Sequence, residues 1–271
     1  MENNLNLAEE VFCLNVELNT LAGVLLKSES ERWVPGYLYS STEKSHYDRY
    51  HLAKNYSESK KVIDIACGVG KGSYILADEG KAEMVDSFDI DNDAIRYAKH
   101  RNYHKNIQFM QANAEQLAIT DKYDLAVSFE TIEHLKNYRS FLQNIQNALK
   151  TGGYFLVSTP ISPLAEDKTP TNPYHVQEWG FKSFQDLIKE YFTVEKVFVQ
   201  IYPSTLDAFR NRVQPSRNLI ERVNRKLFSS KKSTSANSQN HFSKIEEFTG
   251  QFSEEELKVH NIGYQIVLAR K

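Results

Sequence analysis

The sequence predicts an α/β fold, a mostly parallel β-sheet with helices on both faces. Three observations predict it. Residues Val62 to Ser73 read as a buried strand that breaks into a glycine-rich turn and then starts a helix. Beyond them, short β-branched runs alternate with helical patterns, the rhythm of βαβ units. A carboxylate, Asp89, closes the second strand 21 residues beyond Gly68, where an acid can grip the two hydroxyls of a ribose.

The elements follow in chain order. Residues 1–30 carry Leu5, Leu7, Val11, Phe12, Leu14, Val16, Leu18 and Leu21 at a spacing partly helical and partly alternating. They read as a helix packed on the domain or a self-association surface. Residues 43–56 read as a helix with His46, Arg49 and Tyr50 on one face. Strands are expected at 61–66, 84–89, 106–110, 123–128 and 154–158, with helices near 72–79, 92–102, 114–117 and 137–149. Gly152-Gly153 reads as the turn that ends the last of these helices. A helix from Ser183 to Tyr191, a sixth strand at 193–200 and a last strand from Gly263 to Ala269 complete the sheet. Residues 1–60 thus form an amino-terminal helical lid segment, 61–200 the core, 201–260 an insertion and 261–271 the final strand. In the insertion, Ser216 to Phe228 has an apolar stripe of Leu219, Ile220, Val223 and Leu227 beside Arg217, Arg222, Arg225 and Lys226. Such a helix can bury its stripe or lie on an anionic membrane surface. The polar run that follows it reads as a mobile linker.

Composition narrows the class. Of 271 residues, 41% are hydrophobic and 25% charged, and a net charge of −2 gives no reason to expect a nucleic-acid partner. Two cysteines, Cys13 and Cys67, make no disulfide framework and fit a reducing compartment. The acidic start MENNLNLAEE lacks the basic region of a signal peptide, and no apolar run is long enough to span a membrane, so a cytoplasmic location is expected.

Five motifs stand in order: DIACGVGKG, SFDIDNDAIRYAKH, QANAEQL, YDLAVSFETIEHL and LKTGGYFLVSTP. Together they resemble the class I S-adenosylmethionine-dependent methyltransferases. The resemblance implies a Rossmann-like seven-stranded sheet whose last strand runs antiparallel between the fifth and sixth. An NAD-binding sheet lacks that strand, and Ser73 stands where the NAD fingerprint has its third glycine. A narrower set, ERWVPG, HYDRYHLAK, ACGVGKGS and NPYHVQEW, is similar to methyltransferases of bacterial surface-polysaccharide synthesis. It implies O-methylation of a sugar, nucleotide-sugar or glycan hydroxyl. Alternatives are a small metabolite or quinone-like acceptor, or a noncatalytic subunit that binds S-adenosylmethionine within a glycan-assembly complex. A homodimer and peripheral contact with the inner membrane face through 216–228 are further expectations.

The resemblance places the cofactor residues. Asp64, Gly68 and Gly70 line the methionine half, Asp89 the ribose, Ile90 the adenine face, and Asn113 and Ala114 the adenine edge. The third motif usually has Asp where Asn113 stands; an amide can still offer the contact. Phe129 and Glu130 lie at the mouth of the fourth strand. Arg49 is a candidate for the cofactor carboxylate, because a guanidinium can bind one bidentately. Asp91 reads as ribose contact or helix cap. For a general base, His175 in NPYHVQEW and His134 in ETIEHL are the candidates, since imidazole exchanges protons near neutrality. Tyr174, Glu178 and Trp179 flank His175 and suit a sugar ring. No zinc-ligand spacing occurs, and Glu130, Glu133 and His134 carry too few carboxylates for a hard cation, so no metal is expected.

Overall fold

The computed structural model describes residues 2–25, 33–37, 40–162, 170, 172–201, 244–250 and 262–271. Helices α1 (Glu2–Leu25) and α2 (Ser40–Ala53) precede the sheet. Then come β1 (Lys61–Ile65), α3 (Lys71–Tyr74), β2 (Met84–Asp89), α4 (Asn92–Arg101), β3 (Ile107–Gln111), β4 (Tyr123–Phe129) and α5 (Tyr138–Ala148). The chain continues with β5 (Leu149–Pro160), α6 (Phe181–Lys189), β6 (Thr193–Ile201), β7 (Lys244–Glu247) and β8 (Ile262–Arg270). The strand order is β3-β2-β1-β4-β5-β8-β6-β7. Strands β1 to β5 pair in parallel, and β8 runs antiparallel between β5 and β6, as the motif set implies.

Three expectations are corrected. Among the described residues the sheet has eight strands, because β7 adds antiparallel to the β6 edge within the segment read as a helical insertion. Gly152-Gly153 does not cap α5. The helix stops at Ala148, Leu149 is already extended, and the glycines lie inside β5, with Gly152 at φ +79°. There Tyr123 pairs with Leu149 and Leu125 with Tyr154, so the β5 strand carries extra residues as a bulge. The helix after the glycine turn is α-helical only over Lys71–Tyr74 and widens to a π-turn over Ile75–Glu79. The helix expected at 216–228 lies outside the described residues.

The two-residue period of the strands sorts the core. Ile63 and Ile65 of β1 and Phe155 and Val157 of β5 join α5 and α6 residues such as Phe141, Ile145 and Phe184. Val62, Leu125, Val127 and Leu156 point to the opposite face, toward Tyr50, Ile75 and Leu76. Helix α1 docks on α4 through an apolar cluster that includes Cys13 and Tyr97 and through charge pairs. Glu9 pairs with Arg96, Glu10 with Arg101 and His100, and Glu17 with Arg101 and Tyr97. Among the described residues no helix is long and apolar enough to cross a membrane. Cys13 and Cys67 are both buried free thiols.

Candidate active site

The carboxyl ends of β1, β2 and β4 meet at the point where strand order reverses, the usual ligand crevice of such sheets. Ala66, Gly68 and Gly70 take φ values of +58°, +55° and +80°. The Gly68 N–H donates to Asp89 Oδ2 at 2.8 Å, and the Asp91 N–H to Asp89 Oδ1 at 2.9 Å. Asp89 therefore braces the glycine turn as well as facing the crevice. Asp91 caps α4 by accepting from the Asp93 N–H at 2.7 Å.

The glycines have three different duties. A Cβ on Gly68 would meet nothing within 4 Å, so the space above it is open to a ligand. A Cβ on Gly70 would meet the Phe109 ring at 2.5 Å and Ala98 at 2.8 Å. Gly70 thus packs tightly on its side-chain side, and the cofactor contact its motif position implies would come through its backbone. A Cβ on Gly72 would lie 2.0 Å from the Tyr50 ring.

Asp64 is fully buried beneath the turn. It accepts from the Ser73 hydroxyl at 2.6 Å and the Tyr50 hydroxyl at 3.1 Å. Burial pushes its carboxyl up from 3.8 to about 7, against the two hydroxyl bonds that favour the charged form and with a further push from Asp89. The Tyr50 phenol is raised as well, by burial first and then by Asp64.

The opposite wall comes from α2 and the segment before it. Trp33, His46, Tyr50, Ala66–Val69, Lys71, Asp89, Phe129 and Glu130 enclose a cavity of about 190 Å³. His46 stacks on Trp33 with centroids 5.2 Å apart, and Tyr50 meets Phe129 edge-on at 5.1 Å. Burial, then the neighbouring Arg49 charge, hold His46 well below its usual value and so neutral. Arg49 is itself buried and forms an ion pair with Glu130 and a hydrogen bond with Gln200. Its guanidinium lies 4.6 Å over the Tyr264 ring, and the Tyr264 hydroxyl donates to Glu130 at 3.2 Å. Arg49 thus holds a protein carboxylate rather than facing the cavity, and Glu130 is committed to Arg49 rather than to a cation.

The rim where the resemblance puts the adenine is simpler. Ile90 is 65% exposed at the crevice rim, ready to lie against a flat ring. Asn113 Oδ1 accepts from the Glu115 N–H at 2.9 Å, so the group it can offer a base is its NH2. The Ala114 carbonyl accepts from Asn144 at 3.2 Å.

Beyond Glu130 the chain brings both candidate bases together. The His134 and His175 rings meet edge-on with centroids 4.9 Å apart. His134 Nδ1 lies 2.9 Å from the Tyr174 carbonyl, which only a protonated nitrogen can satisfy, so Nε2 is the basic atom. His175 Nδ1 lies 2.7 Å from Glu178 Oε1, and its Nε2 lies 3.0 Å from the Asn172 amide. Glu178 also accepts from Ser162 at 2.9 Å. Its carboxylate thus orients His175 in the manner of a carboxylate–histidine pair, a positioning duty. Ligand atoms of Glu133, His134 and His175 lie within 4.8 Å of one another, a grouping able to hold a divalent ion that chain spacing did not reveal. Trp179 is corrected from sugar platform to core. It is buried and packed between Tyr138 at 5.2 Å and Phe184 at 5.7 Å. Tyr174 is 52% exposed beside the histidines.

Sequence reasoning missed Trp33, Gln200 and Tyr264 and the bond of Ser73 to Asp64. Ser73 was read only as a departure from an NAD fingerprint. Trp33 lies in ERWVPG, and that segment was the available signal. Gln200 and Tyr264 sit on β6 and β8 and carry no local pattern.

A methyltransferase domain model matches residues 56–250. A probable S-adenosylmethionine-dependent methyltransferase of Mycolicibacterium smegmatis is 28% identical over 169 residues, 59% of this chain and 62% of its own. A fatty-acid O-methyltransferase of the same organism is 23% identical over 61% of this chain and 64% of its own. A ubiquinone biosynthesis O-methyltransferase of Glaesserella parasuis is 36% identical over 37% of this chain and 45% of its own. The chain thus spans about half to two thirds of the length of the curated relatives it matches. Among solved structures, phosphoethanolamine N-methyltransferase 2 of Haemonchus contortus, in complex with S-adenosylmethionine, superposes with a TM-score of 0.53. It is 16% identical, over 86% of this chain and 57% of the other. With the antiparallel β8 between β5 and β6 and the open glycine turn beneath Asp89, the domain match shows that the chain belongs to the S-adenosylmethionine-dependent methyltransferase family.

Proposed function

We propose that this protein is an O-methyltransferase that transfers the methyl group of S-adenosylmethionine to a hydroxyl presented at the His134–His175 end of the crevice. The observation that carries the reading is the pair of histidines, with His175 oriented by Glu178, on the segments that follow the cavity-lining Phe129 and Glu130. The cavity fits the cofactor: Gly68 leaves open space over the turn, and Asp89 stands at its rim. When bound, S-adenosylmethionine supplies an electrophilic methyl on a sulfonium.

The chain's own residues do the rest. The Gly68 turn and Asp89 seat the nucleoside, and Ile90 and Asn113 meet the base. Trp33, His46 and Tyr50 roof the cavity and exclude water. Arg49 and Tyr264 fix Glu130 at the boundary between the two ends. Glu178 holds the His175 Nδ1–H, which leaves Nε2 to take the acceptor's proton, with Asn172 yielding to the substrate. His134, held by the Tyr174 carbonyl, is the alternative base.

Two acceptor classes have support. The NPYHVQEW segment, which supplies His175 and Glu178, supports a sugar or glycan hydroxyl. The fatty-acid and ubiquinone-pathway relatives support a lipid or quinone-like acceptor. We favour the sugar, because Glu178, Asn172 and the exposed Tyr174 form a polar rim with one aromatic face. The test measures S-adenosylhomocysteine release across nucleotide sugars, lipid-linked glycans, long-chain fatty acids and catechol-type quinone precursors. Turnover confined to the last two classes rejects the glycan reading. Calorimetry that shows NAD binding and no response to S-adenosylmethionine rejects the cofactor.

A further inference from the structure

Helix α1 has two unlike faces. The face toward α4 carries the buried Cys13 and the acids Glu9, Glu10 and Glu17, all paired. The outward face carries Leu7, Val11, Leu14, Leu18, Leu21 and Leu25. Their spacing is four, three, four, three, four, the heptad period of a coiled-coil seam. Five of the six are 44 to 63% exposed, and Leu21 is half-buried.

We infer that this seam pairs with the same helix of a second copy of the chain. Three features select that occupant. The strict 3.5-residue repeat is what another helix demands, whereas burial on a globular surface or in a lipid interface needs only a broad apolar face. Apart from Glu10, whose side chain is 40% exposed but is paired with Arg101 and His100, the exposed residues between Asn6 and Leu25 are uncharged, the rest being asparagine and alanine. Two identical copies can therefore face each other without the like-charge repulsion that defeats most self-contacts, in a symmetric interface. Glu9, Glu10 and Glu17 lie on the α4 side, tied to Arg96 and Arg101, which holds the seam outward. The contact is modest in size. A helix of 24 residues is about 36 Å long and about 10 Å wide, a footprint of about 360 Å² against the roughly 800 Å² per partner of a standard interface. The dimer should therefore be reversible, with a dissociation constant in the micromolar range. The inference is independent of the acceptor and of the base.

Sedimentation of the full chain from about 1 to 100 µM tests it. The expected result is a concentration-dependent rise from 31.3 kDa toward twice that mass. A double variant, Leu14→Glu with Leu18→Glu, should stay monomeric over the whole range while S-adenosylhomocysteine affinity is unchanged. A second variant, Leu14→Lys with Leu18→Lys, should also be monomeric alone. Mixing the two should restore a dimer by charge pairing across the seam, which separates loss of the interface from loss of the fold. A wild-type chain that remains monomeric at 100 µM, dimers that persist in either variant, or variants that fail to pair when mixed overturn the proposal.

Discussion

The buried carboxyl of Asp64 should give the domain a pH dependence of its own. Ser73 and Tyr50 donate to it at 2.6 and 3.1 Å, and both bonds favour the carboxylate. Burial outweighs them and pushes the group from 3.8 to about 7. The folded-state value lies above the unfolded one, so folding takes up a proton between them. The contribution to stability is fully present below about pH 4 and is lost as pH rises through about 7. At about 1.36 kcal/mol per pH unit, that span is worth on the order of 4 kcal/mol. Asp64→Asn keeps the shape and an oxygen able to accept from both hydroxyls, and it carries no charge at any pH. Denaturant melts of both proteins without cofactor at pH 5, 6, 7 and 8 isolate the effect, because every other group cancels in the difference. The variant should gain on wild type as pH rises from 5 to 7, and the difference should level off toward pH 8. Parallel curves, or a variant that loses ground as pH rises, would mean that Asp64 is ionised in the folded protein at neutral pH. The argument from burial would then be wrong.

Other outcomes follow from the same geometry. Asp89→Ala removes the acceptor of two backbone N–H groups and the ribose partner, so it should cost about 1.5–3 kcal/mol in cofactor affinity and also lower the melting temperature; an unchanged dissociation constant for S-adenosylhomocysteine would move the ribose contact elsewhere. Gly72→Ala, whose Cβ would strike the Tyr50 ring, should destabilise by about 1–3 kcal/mol. Gly68→Ala should cost only about 1–2 kcal/mol of backbone strain yet abolish cofactor binding by filling the open space. Melts and calorimetry on the pair should separate, and equal losses in both would contradict the placement of the ligand. His175→Ala should reduce turnover by about 10²–10⁴ with cofactor affinity intact. Glu178→Gln should show a smaller loss with an altered pH–rate profile; the full loss in His134→Ala alone would reverse the roles of the histidines.

Much of this was legible in the sequence for local reasons. The turn from Ile65 to Ser73 and the cap at Asp91 depend on neighbours within a few residues, Asp89 on its fixed spacing from Gly68, and the continuous apolar runs of β1 and β4 match their burial on both faces. Strand β7 was not legible. Lys244-Ile245-Glu246-Glu247 has one apolar residue, and only the β6 edge makes it a strand. The α5–β5 junction misled because Gly-Gly usually ends a helix, whereas here the pairing with β4 forces a bulge at that point. Long-range partners stayed invisible. Arg49 and Glu130 are distant in sequence, and a lone arginine on a helix face looks equally suited to a ligand. Trp179 next to polar residues looks like a sugar platform until α5 and α6 close over it.

The site divides into a part that the family determines and a part that it does not. The cofactor half rests on backbone geometry: positive φ at Ala66, Gly68 and Gly70, and N–H groups fixed by one carboxylate. A structure 16% identical to this chain shares its fold over 86% of its length. The acceptor half rests on side chains. Its donors come from the end of β4 and from the segment before α6, joined by the bonds of His134 to Tyr174 and His175 to Glu178. A single change there alters chemistry without disturbing the sheet. The Arg49–Glu130 pair is the joint between the halves, since it ties α2 to β4, β6 and β8 through Gln200 and Tyr264. On the proposed reading, substitution around His134 and His175 should change what is methylated before it changes whether the cofactor binds.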